Sequence, residues 1–223
     1  MIINALLFDL DGTLVDTAPD LVESVQLLLQ RHGRERLDYA DIRPSVPHGA
    51  LALVKAGFAD LDCPRTLDSL RLELFDIYDR QLLNQPVMFD GLNQQIEQWE
   101  NTHRPWGIVT NKPTRFASVM LRHLGLDTRI SVLVCGDTLD TRKPDPAPLE
   151  HAARQLALPA QQCLYIGDDY RDALACRRAH MPCLVAAYDF IPEAQDPATW
   201  NADGVIWATS ELMAGVNALM TAA

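Results

Sequence analysis

Asp9 and Asp11 stand two residues apart in the run Phe8-Asp9-Leu10-Asp11-Gly12-Thr13, directly after an apolar stretch. Further along, apolar runs end in Thr110-Asn111-Lys112, in Gly136-Asp137 with Arg142-Lys143-Pro144-Asp145 following, and in Gly167-Asp168-Asp169 with Asp172 close behind. Crowded together, Asp9, Asp11 and Asp168 repel one another unless some are protonated or a cation sits among them. Oxygen ligands without His or Cys favour a hard ion, Mg2+ keeping several waters. A metal together with Lys143 and the donors of Thr110 and Asn111 makes a receptor for a dianionic phosphate. Two carboxylates two residues apart then divide the work. One attacks phosphorus, and the other exchanges a proton with the leaving group and later with water. Taken singly, each residue has a structural reading: Asp168 or Asp169 as a helix cap, Gly12 as a turn glycine, Thr110-Asn111 as an N-cap, Lys143 as a solvated lysine. Their joint occurrence, in order at successive strand ends, argues for a site.

The elements that must position these residues alternate in type. Short apolar runs at Ile3–Phe8, Trp106–Val109, Val132–Cys135, Leu164–Ile166, Cys183–Ala186 and Gly204–Ile206 read as strands. Amphipathic stretches at Pro113–Leu124, Ala147–Leu156, Tyr170–Ala179 and Ser210–Met220 read as helices between and after them. Strand and helix in alternation predict an α/β fold, a Rossmann-like, mainly parallel sheet with helices on both faces. In such a sheet the ligand crevice lies outside the carboxyl ends of the strands, where the polar residues fall. One gap breaks the alternation. Residues 15–88 are helical almost throughout, with Asp16-Thr17-Ala18-Pro19 opening a helix and further helices at Ala50–Phe58 and Leu67–Leu83; Gly91–Trp99 leads back to the sheet. The expected organisation is a catalytic core of residues 1–14 and 89–223 with an inserted helical cap subdomain, 15–88.

The 223 residues carry 19 Lys and Arg against 30 Asp and Glu, a formal charge of −11, which disfavours a nucleic-acid partner. Hydrophobic residues at 48% allow a sizeable core and argue against disorder. No run approaches the ~18 apolar residues of a membrane span, and the N-terminus reaches Asp9 too soon for a signal peptide. Five scattered cysteines without a CxxC pair, Cys163 and Cys183 among them in apolar runs, read as reduced thiols. A cytoplasmic location is expected. P-loop, zinc-hydrolase and dinucleotide motifs do not occur in the sequence.

These residues resemble a known family. Asp9-Leu10-Asp11-Gly12-Thr13-Leu14-Val15-Asp16-Thr17 is similar to the first motif of the haloacid dehalogenase superfamily of phosphatases. Thr110-Asn111, Lys143-Pro144-Asp145-Pro146 and Gly167-Asp168-Asp169-Tyr170-Arg171-Asp172 resemble its second, third and fourth motifs, in order. A helical cap after the first motif is what the phosphoglycolate phosphatase-like branch carries. The resemblance implies Asp9 as nucleophile, forming an aspartyl-phosphate, and Asp11 as general acid/base. It implies Mg2+ held by the Asp9 carboxylate, the Asp11 backbone carbonyl and Asp168, with Asp169 or Asp172 in support. Thr110, the Asn111 backbone and Lys143 would hold phosphoryl oxygens, and the cap would close to exclude water. The carboxylate at Asp11 argues against dehalogenation. His180 departs from the pattern by standing where relatives carry glycine, at a helix end, which bears on capping.

Within the branch, Trp106–Ala117, Gly167–Asp172 and the tail Tyr188-Asp189-Phe190-Ile191-Pro192, with Pro197, Trp200 and Ala202-Asp203, are similar to the bacterial N-acetylmuramic acid 6-phosphate phosphatases of cell-wall sugar recycling. A small phosphorylated metabolite is therefore the expected partner, with phosphoglycolate as the alternative substrate and a phosphosugar mutase as a further one. In the cap, Arg43 could meet a substrate carboxylate and Ser45 or His48 sugar hydroxyls; a solvated Arg and a capping His are the structural readings. Arg115 reads as a first-turn helix residue and Trp200 as packing. A receiver-type signalling module uses similar groups. It would be about half this length, with its acidic pair and phosphoacceptor on different strands.

Overall fold

The computed structural model describes residues 1–189, 191 and 195–221. In chain order the elements are β1 (Ala5–Phe8), β2 (Val15–Asp16), α1 (Ala18–Arg31), α2 (Tyr39–Ile42), α3 (Ala50–Gly57), α4 (Pro64–Gln81), β3 (Val87–Met88), α5 (Leu92–Glu100), β4 (Trp106–Val109), α6 (Thr114–His123), β5 (Val132–Val134), α7 (Ala147–Gln155), β6 (Cys163–Gly167), α8 (Tyr170–Ala179), β7 (Cys183–Ala186), β8 (Gly204–Ile206) and α9 (Leu212–Thr221). The chain divides into two compact units, Met1–Val15 with Met88–Ala223, and Asp16–Val87. The short strands β2 and β3 form a separate two-stranded sheet where the chain leaves and rejoins the first unit.

The first unit is built on a six-stranded sheet in the order β5-β4-β1-β6-β7-β8, with every pairing parallel. Each residue of β1, β4, β6 and β7 is buried, so both faces of the sheet are covered, which is why these strands read as unbroken apolar runs. Each Leu, Ile or Phe so buried contributes roughly 1.5–3 kcal/mol. β1 lies between β4 and β6, with Phe8 level with both Ile108 and Ile166. The next residue, Asp9, donates its backbone N–H to the Ile166 carbonyl, and there the sheet ends in polar groups. Gly107 lets β4 and β5 approach: a Cβ there would lie 2.3 Å from the Val132 side chain.

α8 opens with a reciprocal cap. Asp169 accepts from the Arg171 N–H, and Asp172 accepts from the Asp169 N–H at 3.2 Å. Its other end closes at His180 in the left-handed region, φ 51°, with the His180 N–H reaching back to Arg177 and Cys176. The glycine-type cap is thus made in full by a residue with a Cβ.

The second unit is helical. Val22, Val25, Leu28 and Leu29 of α1 meet Leu53 and Val54 of α3, Phe58, and Leu67, Leu70, Leu74 and Ile77 of α4 in one core. Gly57 allows close contact, since a Cβ there would stand 3.2 Å from Val25. α1 opens within Asp16-Thr17-Ala18-Pro19 as expected: Thr17 is the capping position, proline stands in the first turn, and Asp16 accepts the Ala18 N–H at 3.1 Å.

Left-handed backbone is unfavourable for a residue with a Cβ, by roughly 1 kcal/mol. His180→Gly is therefore expected to raise the melting temperature by a few degrees. Thermal denaturation checks it, and an unchanged or lowered midpoint would show that the His180 side chain makes compensating contacts.

Candidate active site

Lys143 is the centre of the polar cluster at the strand ends. Its residue is 4% exposed, and its Nζ lies 2.7 Å from Asp172 Oδ1, 3.1 Å from Asp9 Oδ2 and 2.5 Å from the Tyr165 hydroxyl. Tyr165 in turn donates to the Val109 carbonyl at 2.7 Å. Burial opposes the charge on Lys143, but Asp172 and Asp9 beside it outweigh that and hold its pKa above the ordinary lysine range. Burial, then the Asp172 and Asp9 charges, push the Tyr165 phenol up, so it stays a donor. The Lys143 backbone is gripped from the neighbouring loop. Asn111 Nδ2 donates to the Lys143 carbonyl, and the Lys143 N–H donates to Asn111 Oδ1, each at 3.0 Å. The Asn111 side chain therefore serves Lys143, leaving its backbone for any contact with phosphate.

Asp168 is seated from the other side. Its Oδ1 accepts from the Thr13 hydroxyl at 2.9 Å, and Tyr188 donates to the Thr13 carbonyl. Gly12, at φ 78°, lies so close that a Cβ would come within 2.3 Å of Asp168 Oδ2. Burial first, then the Asp9 and Asp172 charges, push the Asp168 carboxyl well above the usual range. Burial likewise brings Asp172 up to about 6, against the pull of Lys143. Asp9, Asp168 and Asp172 each offer an oxygen within 4.8 Å of one another. That oxygen-only cluster can bind a metal ion, and carboxylates so crowded and buried are what a hard cation would relieve.

Asp11 projects elsewhere. Its Oδ1 is 2.8 Å from Lys112 Nζ, and its carboxylate is not among the three. Thr110 is buried, with its hydroxyl accepting the Lys112 N–H at 3.2 Å. Asp169 is occupied as the α8 cap and by the Arg171 guanidinium at 2.8 Å. The structure thus brings Asp9, Asp11, Thr110, Asn111, Lys143, Asp168 and Asp172 to one sheet edge. Asp172, expected only in support, proves to be a direct partner of Lys143.

Four residues had no assigned role in the sequence: Lys112, Thr13, Tyr165 and Tyr188. Tyr165 sits inside an apolar strand and carries no polar signal, whereas Lys112 ended an apolar run and could have been singled out. Arg43, Ser45 and His48 belong to the helical unit, buried, half-buried and exposed respectively, with Arg43–Ser45 forming a 3-10 turn. Arg115 is exposed in the first turn of α6, its guanidinium 4.4 Å from the Phe116 ring centroid. Trp200 is buried and meets Tyr170 edge-on at 6.3 Å, in agreement with a packing role. Phe190 and Pro192 of the tail lie outside the described residues. Cys163 and Cys183 are buried free thiols, and no helix among the described residues is long and apolar enough to cross a membrane.

Comparison with known proteins gives concordant matches. The family model described as haloacid dehalogenase-like hydrolase matches residues 6–186. A phosphoglycolate phosphatase of Xanthomonas campestris pv. campestris (strain 8004) is 41% identical over 203 residues, covering 91% of each chain. An N-acetylmuramic acid 6-phosphate phosphatase of Pseudomonas aeruginosa is 39% identical over 216 residues, covering 96% of this chain and 94% of that protein. Among solved structures, one described as a predicted phosphoglycolate phosphatase from Haemophilus somnus 129pt superposes with TM-score 0.83 at 23% identity, over 95% of this chain and 97% of that one, and so shares the fold.

A carboxyl whose pKa is raised on folding contributes stability that is full below its unfolded value of about 3.9 and is lost as pH rises through the folded value. With a chelator present, the melting temperature should therefore fall as pH rises from about 4 through the value of about 6 at Asp172. Asp168→Asn should lessen that fall and melt higher than the wild type at mildly alkaline pH. Parallel melting curves for the two would show that Asp168 carries no such penalty.

Proposed function

The chain belongs to the haloacid dehalogenase-like hydrolases as a phosphatase of that family, a phosphomonoester hydrolase, and on that premise we propose that it is Mg2+-dependent, works through an aspartyl-phosphate on Asp9, and acts on N-acetylmuramic acid 6-phosphate in cell-wall sugar recycling. The observation that carries the chemistry is Asp9 Oδ2 at 3.1 Å from the buried Lys143 ammonium, in one cluster with Asp168 and Asp172. Asp9, Asp168 and Asp172, with the Asp11 backbone carbonyl, would hold Mg2+, which when bound offsets the charge of the phosphoryl oxygens.

An Asp9 oxygen attacks phosphorus as the bond to the leaving alcohol breaks, and Asp11 gives its proton to the departing oxygen. Asp11 then takes a proton from water, whose oxygen attacks phosphorus. The bond to Asp9 breaks, releasing inorganic phosphate and restoring the carboxylate. Lys143 spends its three donors on Asp9, Asp172 and Tyr165. As Asp9 gives its charge to the phosphoryl group, the donor it held is the one free to turn to a phosphoryl oxygen. Thr110 and the Asn111 backbone are the other holders of the phosphate.

The substrate reading is supported by the tail at Tyr188, Trp200 and Ala202-Asp203 and by the long match to the P. aeruginosa protein. Phosphoglycolate is the second reading, favoured by the 41% identity to the X. campestris protein. In both, residues 15–88 act as a cap, Arg43 meets the substrate carboxylate, and Ser45 and His48 address hydroxyls where the substrate has them. The partner is a small cytoplasmic phosphorylated metabolite rather than a nucleic acid.

Phosphate release from N-acetylmuramic acid 6-phosphate and 2-phosphoglycolate, measured side by side with Mg2+, tests the proposal. Turnover should favour the sugar phosphate, vanish with EDTA, return with Mg2+, and be abolished in Asp9→Asn. A preference for phosphoglycolate would transfer the assignment to the second reading; activity in EDTA would overturn the Mg2+ dependence.

A further inference from the structure

Lys112 takes no part in the reaction as written above, yet its ammonium is built into the site. Its side chain is 4% exposed, and its Nζ stands 2.8 Å from Asp11 Oδ1. A buried ammonium is unfavourable unless it is paired, so the placement calls for a function or a strong structural reason. The backbone carrying it is pinned on both sides. The Lys112 N–H donates to the Thr110 hydroxyl at 3.2 Å, and its carbonyl accepts the Gly136 N–H at 2.9 Å. Gly136 fits against that loop because it lacks a side chain: a Cβ would lie 2.1 Å from the Asn111 carbonyl oxygen. Two loops from neighbouring strands are thus packed closely where this cation meets the Asp11 carboxylate.

Asp11 needs such a partner. Its backbone is tied down by a bridge to Val15, but its carboxylate, with 25% of the side chain exposed, can still turn about two bonds. Proton transfer requires one carboxyl oxygen held within hydrogen-bond reach of the leaving oxygen. We infer that Lys112 is a positioning residue: by holding Oδ1 of Asp11 it presents Oδ2 as the oxygen that delivers the proton to the leaving alcohol. The inference rests on the phosphatase reading with Asp11 as acid.

Leaving groups of different basicity separate this role from a structural one. An alkyl phosphate expels a strongly basic alkoxide and depends on the acid, whereas p-nitrophenyl phosphate expels a weakly basic phenolate and depends on it little. The ratio kcat/KM reports the steps through the first breaking of the ester bond, so the later work of Asp11 on water does not enter. With Mg2+ present, Lys112→Met should lower kcat/KM for glycerol phosphate by about ten- to a hundred-fold, and for p-nitrophenyl phosphate by several-fold less. Lys112→Arg, which keeps a donor for Oδ1, should recover part of the loss on the alkyl ester alone. Should Lys112→Met not fold, Lys112→Gln, too short to reach Oδ1, is expected to show the same divergence. Equal losses on the two esters, or none, would overturn the positioning role while wild-type turnover still upheld the phosphatase reading. A wild type inert toward both esters would bring down that reading and the inference with it.

Discussion

A lysine ammonium with almost no access to water sits between two carboxylates. Removing these charges from solvent is strongly unfavourable, and it is tolerated only because each finds a partner at hydrogen-bond distance. Lys143 is the shared partner, bonded to Asp9 and Asp172 and resting on the Tyr165 hydroxyl. Nearly every other feature of the core can be read as a means of holding that ammonium in place. Asn111 fixes its backbone, Tyr165 rises from β6 beneath it, and the capping box of α8 orients Asp172 toward it. The same carboxylate closes a helix end and faces the cation, so the start of α8 and the electrostatics of the site are one construction.

The cluster carries more negative than positive charge even so. Asp168 and Asp172 are both raised by burial and by their neighbours, which marks the site as poised to receive a cation rather than as a stable end state. Gly12 and Thr13 show how closely that receptor is fitted. One offers no side chain where Asp168 needs room, and the other gives Asp168 a hydroxyl donor. Such a site lowers the stability of the fold that contains it, as sites organised for binding and reaction commonly do.

Much of this is legible in the amino-acid sequence. β4, β7, β8 and α8 fall where apolar runs and caps placed them, and β4 and β7, buried on both faces, leave a continuous apolar signature. The two-residue strands β2 and β3 and the single-turn α2 are too short to carry a period, and α4 begins at Pro64 rather than Leu67 because proline in the first turn starts the helix ahead of its apolar stripe. The polar residues at strand ends were visible for the same reason the strands were: each interrupts an apolar run. What no local pattern reveals is which of them meet. The pairing of Lys143 with Asp172, and of Asp11 with Lys112, follows from β1 lying between β4 and β6, an order set by tertiary packing. Tyr165 was hidden altogether, as a polar tip on a residue that otherwise belongs to the core.

The place of β1 in the sheet also shapes how the molecule comes into being. The strand that leads into Asp9 is made well before its two neighbours, which pair with it through Trp106 and Cys163, long after in the chain. During synthesis this wholly apolar segment has no sheet to join, and the helical unit of residues 16–87 is completed before either neighbour emerges. Contacts of such long sequence separation close slowly and leave hydrophobic edges open in the meantime. The nascent chain therefore passes through a stage in which a wholly buried strand is left vulnerable, and the site is assembled only once the chain has been made through Asp172 at the start of α8.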